Sequence, residues 1–146
     1  MSKSINDAMR ESTAVALEML AFLMLEPAQE SNESEEFGVS ISFTGERAVG
    51  EMQIWAPEEL LVYMASNILG DGERDSLLAS GKETLKEVLN IAAGQFLTEY
   101  YGPEFLFDLG LPKEVHTVGN LSYKEFLESI ETETTLKVLL GEGNAK

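Results

Sequence analysis

Two runs of alternating residues joined by a short turn constrain this chain more than any other feature. Phe37, Val39, Ile41 and Phe43 alternate with small polar residues, and after TGER the residues Ala48, Gly50, Met52 and Ile54 alternate again up to Trp55. A period of two marks a strand with one face buried. Two such runs across a turn predict an antiparallel hairpin.

Helical periods lie on both sides of it. Met9, Thr13, Ala16, Leu17, Leu20, Leu23 and Met24 recur at helical spacing until Pro27 stops them. The stretch 26–36, containing PAQESNESEE, is acidic and without period, and is expected to be a solvated connector. A second helix is expected after Trp55, with Pro57 in its first turn and Glu58 and Glu59 at the positive end of its dipole, running to Gly70. After GDGERD comes a third helix that contains KETLKEVLNIAAGQF and ends near Tyr101-Gly102-Pro103.

FLFDLGLP, closed by Pro112, and TTLKVLLG, with Leu136, Val138 and Leu140 on one face, are expected strands. SYKEFLESI has two readings. Ser122 and Glu125 form a capping-box start with helical spacing behind it, but the segment equally suits the strand partner of TTLKVLLG across an ETET turn. We take the strand. The order helix, two strands, two helices, three strands predicts an α+β fold, helices packed on a mainly antiparallel sheet, in a single domain over residues 1–146.

The chain has no cysteine and a formal charge of −16. Disulfides and cysteine-held metals are excluded, which suits a reducing compartment. Such a charge repels phosphate backbones and anionic lipid, so neither nucleic acid nor a membrane is an expected partner. The longest apolar run, Ala14 to Leu25, contains Glu18 and is too short to span a bilayer. No cleavage pattern of a signal peptide follows it. The expectation is a soluble cytoplasmic protein.

The third helix holds an oddity. Asn90 is a poor helix former that prefers caps and turns, yet it lies mid-helix between Glu87 and Gly94. At about 100° per residue, Leu85, Val88, Leu89, Ala92, Ala93, Phe96 and Tyr100 gather on one side and face the core. Glu83, Glu87, Asn90, Gly94 and Thr98 share the other, with Ile91 at the edge of that strip. Glu87 and Asn90 therefore project side by side. Exposed Glu and Asn mostly serve solubility, and a lone Glu-x-x-Asn is a weak signal. Three details add to it. Asn90 costs helix stability on a face without packing return; Gly94 also costs stability but admits a neighbouring backbone; and Pro112 follows Asn90 by 22 positions.

E-V-L-N followed by 21 residues and a proline resembles the signature of the CheC, CheX and FliY chemotaxis phosphatases, and the order of elements agrees over most of the chain. The resemblance implies a CheC/CheX-like two-layer fold and a hydrolase acting on the phospho-aspartate of a CheY-like response regulator in chemotaxis or two-component signalling. Asn90 would orient the attacking water and Glu87 would dock on the regulator's active-site lysine. Glu83, Ile91 and Gly94 would meet the partner, and Pro112 would complete the signature. No cofactor of its own is implied, since Mg²⁺ comes in the regulator. A homodimer joined through the sheets is implied as well. The signature has Asp or Ser where this chain has Glu83. The first helix carries no second Glu-x-x-Asn, as in CheX; when it is laid over the third, Glu11 matches Glu87 and Ala14 falls where Asn90 is. The alternative is a non-catalytic module of the same fold that docks a response regulator or a flagellar switch protein.

Other signals lead nowhere. Asp71, Glu73 and Asp75 open like a calcium loop, but Ser76 and Lys82 stand where its later residues are required. His116 is the sole histidine and has no partner for a triad or zinc site. No nucleotide-binding glycine motif occurs. Met9, Met19 and Met24 are expected in the core, and Trp55 is expected to pack.

Overall fold

The computed structural model describes residues 4–21, 25–27, 37–119, 123–130 and 134–142. Within them three helices, α1 (Ile5–Ala21), α2 (Glu58–Leu69) and α3 (Arg74–Tyr101), lie on one face of a seven-stranded antiparallel sheet. The strands are β1 (Leu25–Pro27), β2 (Phe37–Gly45), β3 (Val49–Ala56), β4 (Phe107–Leu109), β5 (Lys113–Val115), β6 (Tyr123–Ile130) and β7 (Thr134–Glu142). Their order is β1-β6-β7-β3-β2-β4, with β5 beside β4 along the same edge of β2. The α+β expectation holds.

The hairpin forms as its alternation requires. β2 and β3 pair from Phe37 opposite Ala56 to Thr44 opposite Val49. Phe37, Val39, Ile41 and Phe43 are buried with Met52 and Ile54 in one core that also takes Leu136, Val138 and Leu140 from β7. The helices cover that face with Met9, Ala16 and Leu17 from α1, Leu60, Leu61 and Met64 from α2, and Leu85, Val88, Leu89 and Phe96 from α3. SYKEFLESI is strand β6, paired along its whole length with β7. Helical spacing was present in it, but pairing with β7 and β1 overrides that local preference.

Several boundaries differ from the sequence reading. Pro27 does not stop α1; it ends the short edge strand β1, where a residue without an N–H is tolerated. The expected connector 26–36 therefore begins with paired residues, and the rest of it lies outside the described residues. Pro57 is the N-cap of α2, just ahead of the first turn. The helix stops at Gly70, whose φ of 85° suits a residue without Cβ. Arg74 and Asp75, read as loop, already belong to α3. Met19 is 63% exposed instead of buried, while Met9 is in the core; Met24 lies outside the described residues.

On the sheet face away from the helices, a polar chain ties distant segments together. The Trp55 indole lies over Gly38, its cross-strand neighbour, and donates to Gln53 Oε1 at 2.8 Å. Gln53 Nε2 donates to the Val118 carbonyl at 2.5 Å. Gln53 is 1% exposed, so Gln53→Ala strands a buried indole N–H. Urea unfolding is expected to register a loss of about 1–3 kcal/mol. Among the described residues, no helix is long and apolar enough to cross a membrane.

Candidate functional site on the exposed face of α3

α3 packs against both other helices and against β2 and β3, so only a narrow strip of it meets solvent. Leu85, Val88, Leu89, Ala92, Ala93 and Phe96 are buried, and Glu83, Glu87, Asn90 and Thr98 are exposed. Helical periodicity had divided these residues in this way. Tyr100 is half-buried and stacks on Phe96 at 5.5 Å. Leu97, which the reading of the core face did not include, is buried as well.

Glu87, Asn90 and Ile91 line an open groove of about 600 Å³, walled by Leu20 of α1, Ile68 of α2 and Pro112. Glu83, Thr84 and Lys86 line it too. Among the described residues, the side chains of Glu87 and Asn90 have no hydrogen-bond or ion-pair partner. Two polar groups three residues apart thus stand in a concave surface with no partner for them among the described residues.

Pro112 reaches the groove through an irregularity in the sheet. Leu109 of β4 is opposite Phe43, and Lys113 of β5 is opposite Ser40. Two residues of β2, Ile41 and Ser42, therefore face three, Gly110 to Pro112. This is a bulge, and it explains why the strand expected over FLFDLGLP is cut short to β4, with pairing to β2 resumed only beyond Pro112 as β5. Gly110 N–H still donates to the Ser42 carbonyl at 2.9 Å, while Leu111 is thrown out and left 88% exposed. A bulge re-aims the residues around it and accommodates a proline that cannot donate to the ladder. Here it accompanies Pro112 into the wall beside Asn90.

Gly94 does not line the groove. It lies one turn beyond Asn90, half-buried, and a Cβ built on it would meet only Leu109 Cδ1, at 3.8 Å. Among the described residues, nothing requires glycine there. Gly81 is the opposite case: a Cβ there would come within 2.1 Å of the Leu61 carbonyl oxygen. It lets α2 and α3 touch backbone to backbone, which fixes where the end of α2 stands beside the groove.

Glu83 is not free like its neighbours. Its carboxylate pairs with Lys86 at 3.1 Å, one turn along the helix. The sequence reading passed over Lys86, although its spacing of three from Glu83 and four from Asn90 put it on the same strip. It passed over Ile68 and Leu20 as well, which lie on other helices and are joined to the strip only by the fold. Ile68, Glu83 and Thr84 also border a second, mostly apolar groove between α2 and α3. Among the described residues, no three acidic or histidine side chains form a group that could hold a metal ion, Asp71, Glu73 and Asp75 included.

With this geometry in view, the chain matches the chemotaxis phosphatase CheX family over residues 37–130, a span that runs from β2 through Glu87, Asn90 and Pro112 to the end of β6. The chain belongs to the CheX family. The CheX chemotaxis protein of Vibrio vulnificus superposes with a TM-score of 0.77 at 19% identity, covering 97% of each chain. CheX of Borrelia burgdorferi, solved in a CheX-CheY-BeF3-Mg complex, gives 0.75 at 16%, covering 97% of this chain and 99% of the other. A CheC-like protein from Shewanella sp. PV-4 gives 0.75 at 17%, covering 99% and 100%. At these identities the likeness is one of fold. No curated protein sequence matches the chain significantly.

Proposed function

We propose that this CheX-family protein is a phosphatase of a phosphorylated CheY-like response regulator, and that the strip of α3 around Glu87 and Asn90 enters the regulator's active site. The observation that carries the reading is the pair itself: a carboxylate and an amide, both unpartnered among the described residues, standing in one groove on a family fold. The complex of the Borrelia burgdorferi relative with CheY, BeF3 and Mg²⁺ lends support, since BeF3 has the shape of a phosphoryl group.

The chemistry needs little else. An acyl phosphate is labile, and the regulator's Mg²⁺ supplies charge neutralisation on the transferring group. What the chain adds is position. The Asn90 amide oxygen accepts a hydrogen bond from a water in line with the scissile P–O bond, and its NH₂ fixes the amide by donating elsewhere. As the water oxygen bonds to phosphorus, the aspartyl oxygen leaves with the bonding pair, and the water's proton passes to the released phosphate or to solvent. The Glu87 carboxylate pairs with the regulator's active-site lysine and sets the register of docking. The family resemblance further implies a homodimer joined through the sheets, and the reading places the protein in the cytoplasm with its regulator.

The test is phosphate release from phosphorylated CheY-like regulators with Mg²⁺ present. The expected result is loss of phosphate faster than self-hydrolysis when the protein is added. Glu87→Ala is expected to raise KM about tenfold or more, the size of a lost charge-assisted hydrogen bond. Binding of the phosphorylated form without acceleration would instead assign a docking module.

A further inference from the structure

Resting on that reading, we infer that Lys86 is a phosphoryl-binding residue of the same site, held in reserve by Glu83 until the regulator docks. Lys86 lines the groove together with Glu87 and Asn90 and is the one basic residue among the described residues that do. It stands four residues before Asn90, so the two side chains are neighbours on the helix surface. Its side chain is 30% exposed against 74% for Glu83. The stem therefore lies along the protein surface and the ammonium is presented at the groove instead of waving in solvent. In a chain of net charge −16, a lysine on the margin of this strip, beside Asn90, is set against the prevailing sign.

Its partner is one it can leave. The Glu83 pair is an exposed contact across one helical turn, a class that contributes little to stability and exchanges readily. The phosphoryl group of an acyl phosphate carries two negative charges and three acceptor oxygens, and becomes partly desolvated when α3 covers it. An ammonium gains more there than from a carboxylate in water. Glu87 and Lys86, adjacent in sequence, would then read the two opposite charges of the regulator's site: the carboxylate its lysine, the ammonium its phosphoryl oxygens. Glu83 would act on Lys86 and not on the regulator, which gives a purpose to the acid in the place where the family signature has Asp or Ser.

The experiment measures kcat and KM for a phosphorylated regulator that the wild type dephosphorylates, with Lys86→Met, Lys86→Arg, Glu83→Gln and the double variant Lys86→Met with Glu83→Gln. Lys86→Met is expected to raise KM about tenfold, with affinity for the unphosphorylated regulator changed far less. Lys86→Arg should recover most of the loss. Glu83→Gln should lower KM about threefold by releasing the ammonium, and the double variant should show the full Lys86→Met loss. If Lys86→Met matches wild type, or if Glu83→Gln mimics it and the double variant is no worse, Lys86 only ties down Glu83 and the inference fails while the phosphatase reading stands. If the wild type accelerates no regulator, both fall together.

Discussion

Asn90→Ala is expected to abolish most of the phosphatase activity, by about 100-fold, while making the protein slightly more stable. The two effects have separate origins. The Asn90 side chain is exposed and has no hydrogen bond to lose among the described residues. Replacing a poor helix former by the best one in an exposed helix interior is expected to add about 0.5 kcal/mol to the unfolding free energy. On the proposed reading, what disappears is the acceptor for the in-line water, and a positioning defect of this kind costs on the order of 100-fold in rate. The loss should fall on kcat, since the docking role proposed for Glu87 is left intact. Phosphate release and urea unfolding of the same variant decide the matter together. A variant that is more stable and slow would show that Asn90 is kept for chemistry. A variant of full activity would remove the water-positioning role, and a less stable one would mean that the amide has a structural partner after all.

How far the sequence could be read depended on whether a feature was local. The β2–β3 hairpin, the buried side of α3 and the exposed strip with Glu87 and Asn90 all follow from periodicities of two and 3.6 residues, and the structure realises them. The groove does not follow in that way. Its walls come from Leu20 of α1, Ile68 of α2 and Pro112 between β4 and β5, and no pattern within α3 announces them. The pairing of Glu83 with Lys86 was within reach, because a spacing of three on a helix is a local rule. The bulge at Gly110–Pro112 was legible only as a proline closing an apolar run. That it splits the strand and sets Pro112 beside Asn90 depends on the register against β2, which sequence alone leaves open. Pro27 shows the same limit from the other side. A proline after a helical run ends the pattern, but whether the chain then goes into solvent or onto the edge of a sheet is decided by β6, a hundred residues later.

The second large effect separates two glycines of α3 that look alike in the sequence. Each lies inside the helix and each costs about 1 kcal/mol relative to alanine in an isolated helix. At Gly81 a Cβ would sit 2.1 Å from the Leu61 carbonyl oxygen, with the carbonyl carbon at 2.6 Å and the Leu61 Cα at 2.9 Å. These are backbone atoms, which cannot swing aside as a side chain would, so α2 must move off α3. Gly81→Ala is therefore expected to destabilise the protein by about 3 kcal/mol or more in spite of alanine's better propensity. Because α2 carries Ile68 to the groove wall, the surviving folded protein should also bind the regulator less well. At Gly94 the only neighbour of a Cβ among the described residues is Leu109 Cδ1 at 3.8 Å, an ordinary contact. Gly94→Ala should accordingly stabilise the protein by about 0.5–1 kcal/mol. A residue that weakens its helix with no reason among the described residues calls for one outside them, and on the proposed reading that is the docked regulator, one turn beyond Asn90. Gly94→Ala is expected to raise KM severalfold and Gly94→Leu much more, with the unfolding midpoint of the alanine variant above wild type. If both variants keep the wild-type KM, α3 does not enter the partner as far as Gly94, and the contact ends at Asn90 and Ile91.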